Sequence, residues 1–273
     1  MHSLTRNNTD TGAPRASIAP HAALLRSDWI AGLDKGLMIL EAFGEAHPRM
    51  TSAQMGELVG ITRTAARRHL LTLSHLGYLA TDGKLFWLTP RVLRLGQGFL
   101  ESNRLARIVQ PFLQRVTAGT QESAFLSMLE GDDIVYVARN GSNRFMNTGY
   151  VLGARVPASV TAAGVLLLAV RESPSYTDWL NSAQLRTFTQ HTITDKALLS
   201  SHFQQIRQED WAMSENQLEL GMRGVAVPLR DARGVVAGAL SVTVSIGEES
   251  AQQTVQRVLG VLREAASAMR NLI

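Results

Sequence analysis

The stretch Thr62-Arg63-Thr64-Ala65-Ala66-Arg67-Arg68-His69-Leu70-Leu71-Thr72-Leu73-Ser74-His75-Leu76 alternates an apolar and a basic face at helical spacing. Ala66, Leu70, Leu73 and Leu76 recur at i, i+4, i+7 and i+10 and form an inward stripe, while Arg63, Thr64, Arg67 and Arg68 lie one turn apart on the outward side. Thr62 precedes the run as the expected N-cap, so the positive end of the helix dipole stands beside the arginines. Such a helix meets phosphates and base edges when its first turn enters a groove of DNA. Taken alone it more commonly describes a solvated surface helix, and the flanking segments decide between the two.

Upstream, Asp28 to Phe43 places Leu33, Leu37, Leu40 and Phe43 at helical spacing, which predicts a first core helix. Thr51 caps a short second helix through about Val59, with Met55, Leu58 and Val59 partly inward and Gly60 as the turn. Downstream, two strand-like runs flank Asp82-Gly83, a dipeptide suited to the positive φ angles of a tight hairpin. Lys84 lies at the tip of that wing, within reach of a phosphate, and Tyr78, Phe86 and Trp87 are expected to pack on the helices. Helix, glycine turn, capped basic helix and wing read together as a winged helix-turn-helix over residues 28–90.

The composition sets outer bounds. The chain has 273 residues, 45% of them hydrophobic, with a formal charge of +4, the pattern of a soluble globular protein with a modest basic bias. The absence of cysteine excludes disulfides, thiolate metal sites and cysteine nucleophiles and fits a reducing cytoplasm. The seven histidines show no paired ligand spacing beyond His69 and His75, which lie off one face, so neither metal nor cofactor is expected. The longest apolar run, Val165 to Val170, is far short of the roughly 18 to 20 residues of a membrane span. Residues 1–27 lack apolar periodicity and any secretion-signal pattern and are expected to be a disordered tail.

Residues 91–120 read as a linker helix followed by the first helix of a second domain, with Pro111 as a break or first-turn residue. The apolar positions of this stretch serve either core packing or pairing between protomers. Within residues 121–273, Ala124–Leu129, Ile134–Arg139 and Arg144–Tyr150 are strand candidates. Val160–Val170 is a buried helix, and helices follow near Tyr176–Leu180 and Lys196–Gln208. Val225–Leu229 and Val235–Ser245 form a hairpin around Asp231-Ala232-Arg233-Gly234, and Glu249–Asn271 is a terminal amphipathic helix. Strands first and last with helices between define an α+β fold with an antiparallel sheet.

Several stretches, taken in order, resemble the IclR family of transcriptional regulators. They are Gly32-Leu33-Asp34-Lys35-Gly36-Leu37-Met38-Ile39-Leu40, Gly60 to Leu70, Gly77-Tyr78-Leu79, Gly153 to Gly164, and Glu219 to Pro228. The resemblance covers the chain from about Trp29 onward and implies a winged helix-turn-helix joined by a linker helix to a GAF-like effector-binding domain. It also implies a homodimer or homotetramer on double-stranded operator DNA, with RNA polymerase as a candidate partner. Asp28 to Leu33 and Leu40 to Phe43 resemble the subgroup that governs aromatic-acid catabolism. For that subgroup the effector is a small organic acid such as 4-hydroxybenzoate, protocatechuate or a β-ketoadipate-pathway intermediate, and many members are activators; a repressor responding to another acid is the alternative. The chain departs from the family where Val165 directly follows Gly164 and where Ser159 replaces a usual cysteine or histidine.

Carried onto this chain, the family pocket takes Phe145, Tyr150, Val156 and Met222 as walls and Thr148 and Gly224 as further lining. Ser159 and Thr161, with the free amides of Ala162 and Ala163, offer an anion site at a helix start, and Ser214, Ser241 and Thr243 complete the hydrogen bonding. Arg155 and Arg223 are candidate carboxylate partners, set against the commoner use of such arginines in loop contacts. At the DNA, Arg63, Thr64 and Arg67 are candidates for base edges, and Thr51, Arg68 and Lys84 for phosphates, with Thr62 as the cap. Two other classes compete: an enzyme using Ser159 with His191 or His202, for which no Gly-x-Ser-x-Gly elbow exists, and a ligand-free assembly domain.

Overall fold

The computed structural model describes residues 27–102, 104–141, 150–171 and 175–273. Residues 1–26 of the expected tail and all but the last residue of the expected Arg144–Tyr150 strand lie outside them; Tyr150 itself is in a bend. The described residues fall into two compact units that divide at Leu93 and Arg94.

The first unit contains α1 (Ala31–Glu41), β1 (Met50–Thr51), α2 (Ser52–Leu58), α3 (Arg63–His75), β2 (Leu79–Thr81) and β3 (Leu85–Leu88). Its core gathers Ile39 and Phe43 from α1 and its end, Met55 from α2, Ala66 and Leu70 from α3, and Leu79 and Phe86 from the wing. The expected stripe of α1 is corrected: Leu33 and Leu37 are exposed, and Ile39 is the fully buried residue. Leu37 and Ile39 are 200° apart at 100° per residue, so burying one turns the other outward. Leu58 and Leu76 are also exposed, each standing at a helix end beyond the packed turns.

Two glycines make the helix-turn-helix possible. A Cβ on Gly56 would stand 2.8 Å from the Ile61 carbonyl oxygen, so only glycine lets α2 approach the turn this closely. Gly60 holds φ at +68°, the left-handed region that costs other residues about 1 kcal/mol or more. In the wing the Asp82 carboxylate accepts hydrogen bonds from the amides of Lys84 (2.9 Å) and Leu85 (2.7 Å), while Gly83 takes φ +96°. The sheet is widened by β1, a two-residue strand too short to announce itself in a pattern, in the order β1-β3-β2.

The second unit begins in α4 (Leu93–Ser102) and continues through α5 (Arg104–Thr120), β4 (Ser123–Glu130), β5 (Asp133–Asn140) and β6 (Arg155–Pro157). After a 3-10 turn at Ala158–Val160 come α6 (Ala162–Ala169), α7 (Ser175–Ser182), α8 (Lys196–Glu209), β7 (Ala212–Glu215), β8 (Met222–Arg230), β9 (Val236–Ser245) and α9 (Ala251–Met269). Among the described residues six strands form one sheet in the order β6-β5-β4-β9-β8-β7, with every neighbouring pair antiparallel. The edge strands β6 and β7 escape sequence reading because three and four residues are too few to display alternation.

Alternation along the central strands sorts side chains into two cores. Phe125 and Ala226 face α6 and α8, whereas Ala124, Leu126, Val225 and Val227 face α5 and α9. All eight residues of α6 are buried, which makes it the apolar middle of its layer. Gly164 within it stands so close to Ala158 that an added Cβ would lie 2.1 Å from a carbonyl oxygen. Pro111 is neither a break nor a first-turn residue but lies inside α5. The proline removes the donor to the Arg107 carbonyl, and the helix tolerates this because Arg107 faces solvent. Trp179 of α7 donates its indole N–H to Asp132 (2.7 Å), fixing α7 to the β4–β5 turn. Among the described residues no helix is long and apolar enough to cross a membrane, and no group of side chains forms a metal cluster.

Candidate functional site

In the first unit the capping residues set the geometry. Thr51 and Gln54 form a capping box at α2, in which the Thr51 hydroxyl both accepts from the Gln54 amide (3.3 Å) and donates to its side chain (3.0 Å). That hydroxyl is therefore already engaged. The Thr62 hydroxyl accepts from the Ala65 amide (3.2 Å) and caps α3, leaving its proton free to donate. Arg63, Thr64, Arg67 and Arg68 are all exposed on α3, and no ion pair neutralises the three guanidiniums among the described residues. Lys84 is exposed at the wing tip. Arg49, which sequence reading passed over, stacks on Trp87 of β3 with its guanidinium carbon 4.3 Å from the ring centroid, adding a cation to the same wing.

In the second unit a pocket of about 440 Å³, counted with its open mouth, lies against the start of α6 and strands β5, β7, β8 and β9. Of the expected residues, Tyr150, Thr161, Ala162 and Ala163 line it from one side. Ser214, Met222, Gly224, Ser241 and Thr243 line it from the sheet, and Arg223 joins them. A Cβ on Gly224 would stand 3.2 Å from both Ala162 Cβ and Ser214 Oγ, so the glycine keeps this wall open. Phe145 and Thr148 lie outside the described residues.

Three expected site residues are elsewhere. Arg155, on edge strand β6, pairs with Glu130 (2.8 Å) and Asp133 (3.1 Å) at the surface and does not line the pocket. Its neighbour Val156 points to the opposite side of the strand and packs in the core with Phe125 and Tyr136. Ser159 occupies the 3-10 turn before α6, and no hydrogen bond joins it to His191 or His202 among the described residues. The His191 ring lies 3.3 Å from the Gln190 amide at the surface, and burial holds His202 below the ordinary histidine pKa. A Ser-His set is thus not assembled there. Arg223 lines the pocket, but its Nε donates to Glu215 (2.7 Å) and its Nη1 to the Glu249 carbonyl (3.2 Å) and to Thr254. A 3%-exposed guanidinium engaged on the α9 side of β8 is turned away from the pocket, which corrects its expected role as a free carboxylate partner.

Apart from Glu219 and the engaged Arg223, the polar groups of the pocket are neutral. Tyr136 of β5 and Ser241 of β9 are 4% and 6% exposed, both line the pocket, and neither hydroxyl has a hydrogen-bond partner among the described residues. Thr161 caps α6 by accepting from the Gly164 amide (3.0 Å), while the first-turn amides of Ala162 and Ala163 have no acceptor among the described residues. Burial, followed by the neighbouring Tyr150, pushes the Tyr136 phenol above its ordinary pKa; burial and then the Glu219 charge do the same for Tyr150. Both remain neutral donors near pH 7. Their rings pack with Phe125 at centroid separations of 5.0 to 5.8 Å and form an aromatic wall. Tyr136, Gln217, Leu218 and Glu219 are pocket residues that sequence reading missed, and the only signal for Tyr136 was a lone phenol in the apolar run 134–138 of β5. Hydroxyls, an aromatic wall and free amides at a helix N-terminus are suited to hold a small ring bearing an anionic group.

A winged helix-turn-helix with an unneutralised basic helix, in one chain with an α+β unit carrying such a pocket, defines a DNA-binding transcriptional regulator. Residues 32–83 match the family model described as the IclR helix-turn-helix domain, and residues 97–271 match that of the bacterial transcriptional regulator IclR C-terminal domain. The chain belongs to the IclR family of bacterial transcriptional regulators. It is similar to the p-hydroxybenzoate hydroxylase transcriptional activator of Acinetobacter baylyi, with 38% identity over 261 residues, 93% of this chain and 96% of that one. Among solved structures it is similar to a transcriptional regulator of Rhodococcus sp. RHA1, with a TM-score of 0.77 and 33% identity over 89% of this chain and 97% of that one. It also resembles the inducer-binding domain of PobR from Acinetobacter, solved as a double mutant with 3-hydroxybenzoic acid. There the TM-score is 0.59 and the identity 31%, over 62% of this chain and 99% of that one.

Proposed function

We propose that the chain is a cytoplasmic regulator of aromatic-acid catabolic genes, an activator whose effector is a small aromatic monocarboxylic acid bearing a ring hydroxyl, such as 4-hydroxybenzoate or protocatechuate. The observation that carries the reading is the pair of hydroxyls of Tyr136 and Ser241, without a partner among the described residues and open to a pocket beside the free amides of α6. Hydroxyls open to the pocket are available to hydrogen-bond a ligand bound there, each such bond contributing on the order of 1 kcal/mol. The names of the similar Acinetobacter activator and of the PobR complex support the same ligand class.

The carboxylate sits at the first turn of α6, the ring lies against Tyr136 and Tyr150, and the ring hydroxyl meets the serine and threonine groups of the sheet. Operator DNA is read by Arg63, Thr64 and Arg67, and its phosphates are held by Arg68, Lys84 and the Thr62 end of α3. The protein works as a homodimer or homotetramer, a reading supported by the exposed Leu33 and Leu37 of α1 and the exposed Leu95 and Phe99 of α4.

Thermal unfolding in the presence of 4-hydroxybenzoate, protocatechuate, benzoate and a straight-chain dicarboxylate tests the effector class, because a ligand of the native state raises its apparent stability. The first two are expected to raise Tm and to change operator affinity. If no acid did either, the effector assignment would fall.

A further inference from the structure

Arg223 has a place that no other pocket residue shares. It lines the pocket, yet its guanidinium donates away from it, to Glu215 of β7, to the Glu249 carbonyl and to the Thr254 hydroxyl at the start of α9. Thr254 is fully buried and its hydroxyl also lies 3.2 Å from a carboxylate oxygen of Glu249. Arg257, one turn further along α9, takes the same Glu249 carboxylate through Nε and Nη2, both at 2.9 Å. Its remaining donors reach across to the end of α5: Nη1 to the Thr120 carbonyl (2.6 Å) and Nη2 to Glu122 (3.0 Å).

The Thr120 carbonyl is among the last four of α5, which have no acceptor role inside the helix, so Arg257 acts as its C-terminal cap and complements the helix dipole. The next residue, Gln121, holds φ at +60° without being glycine, a conformation kept only where the surroundings enforce it. The fork geometry of both arginines makes the connection directional: a shift of one guanidinium cannot keep all of its planar contacts. Backward along the chain, α5 continues into α4 and the winged unit.

We infer that the chain of contacts Arg223–Thr254/Glu249–Arg257–Thr120 is a relay that passes occupancy of the pocket to the C-terminal end of α5, with Arg223 and Arg257 as positioning residues. The inference rests on the pocket being the effector site. A ligand bearing on Ser214 and Gly224 moves β7 and β8, and with them the Glu215–Arg223 pair opposite each other in their register. Arg223 then releases or reorients Thr254 and Glu249, and Arg257 changes its grip on Thr120.

Hydrogen exchange on the full-length protein tests the relay without an operator. Two perturbations of the pocket are compared: saturating 4-hydroxybenzoate, and the substitution Gly224→Ala, whose methyl group crowds Ala162 and Ser214 in the absence of ligand. Each is expected to change exchange in the 116–123 peptide by about fivefold or more. In Arg257→Gln the baseline exchange of this peptide rises, but its response to either perturbation disappears, while peptides at 212–224 still respond; a purely structural arginine would raise the baseline and leave the response. Arg257→Lys, which keeps the charge and loses the fork, restores at most part of it. Should Gly224→Ala fail to fold, Ser214→Thr crowds the same wall. If 4-hydroxybenzoate changes no peptide anywhere, the effector reading fails for that acid, and the crowding variants still decide the relay. A response at 116–123 that survives in Arg257→Gln, or a response confined to 212–224 in the unmodified chain, overturns the relay.

Discussion

The Nε of Arg223 lies 2.7 Å from a carboxylate oxygen of Glu215, and the two residues are direct register partners on β8 and β7. The arginine is 3% exposed and the glutamate about one third, so the pair places a buried cation on the α9 side of β8 with its counter-charge beside it. Removing only the carboxylate, as in Glu215→Ala, leaves a buried charge short of one partner and is expected to cost about 2 to 3 kcal/mol, less than for a fully buried pair because Glu215 is partly solvated. Urea denaturation measures the loss. The double variant Glu215→Leu/Arg223→Met is expected to recover much of it, and a Glu215→Ala protein as stable as the parent would mean that the pair is solvated in solution.

The hydroxyls of Tyr136 and Ser241 carry different expectations for stability and for binding. Without ligand, Tyr136→Phe and Ser241→Ala remove a hydroxyl that has no partner among the described residues and opens on the pocket, so each variant is expected to stay within about 0.5 kcal/mol of the parent. With a hydroxybenzoate, each is expected to lose about tenfold or more in affinity, equivalent to one hydrogen bond of about 1.4 kcal/mol. Calorimetric titration beside a melting curve separates the two effects. Variants that lost stability and kept affinity would make these hydroxyls structural.

On the DNA side, Arg68→Ala is expected to weaken binding to all sequences alike and to flatten the salt dependence by about one counterion. Arg63→Ala is expected instead to cost about 1 to 3 kcal/mol on the preferred site and to relax the preference at one base pair. Binding titrations against operator and scrambled DNA at several salt concentrations distinguish them. Identical behaviour of the two variants would remove the division of roles.

Asp231, in the β8–β9 turn, has its carboxyl held below the usual carboxylate range by the Arg233 guanidinium and by the amides of Arg233 and Val235. A carboxyl whose folded pKa is depressed stabilises fully above the unfolded value of about 3.9, and that stabilisation is lost as pH falls through the folded pKa. Asp231→Asn is therefore expected to be less stable than the parent at neutral pH and to approach it in acid below about pH 3.9. Melting curves from pH 7 to pH 2.5 provide the check; a constant difference across that range would show that the carboxylate charge is not what holds the turn.

The winged unit was legible in the sequence where its determinants are local. Thr62 caps α3 through an amide three residues on, and Asp82 closes the wing over two and three residues, so residue type and spacing sufficed for both. The inward stripe of α1 was misread because period alone gives a face and not its direction: Leu37 and Ile39 satisfy similar patterns, and only packing against α3 and the wing buries Ile39. The pocket was legible through resemblance at Thr161, Ser241 and Thr243, but not at Tyr136, because nothing in a strand pattern tells whether a phenol will find a partner. Arg155 and Arg223 looked alike as arginines near glycine. One is a surface ion pair on an edge strand and the other a buried junction between β7 and α9.

The sequence by itself determined the order of the helices and of the longer strands, the basic recognition helix with its cap, the wing turn and the family, since each depends on residues within a few positions of one another or on an ordered set of such stretches. Tertiary structure alone decided which donors are free. Arg223 finds Thr254 31 residues away and Arg257 finds Thr120 137 residues away, and these distant acceptors turn Arg223 from a candidate ligand into a connection and join Arg257 to the end of α5. Tyr136 and Ser241 keep their hydroxyls open to the pocket because no such acceptor reaches them among the described residues. Hydrogen bonding is satisfied by whichever group folding brings within about 3 Å, and that proximity is a property of the packed chain rather than of any segment of it.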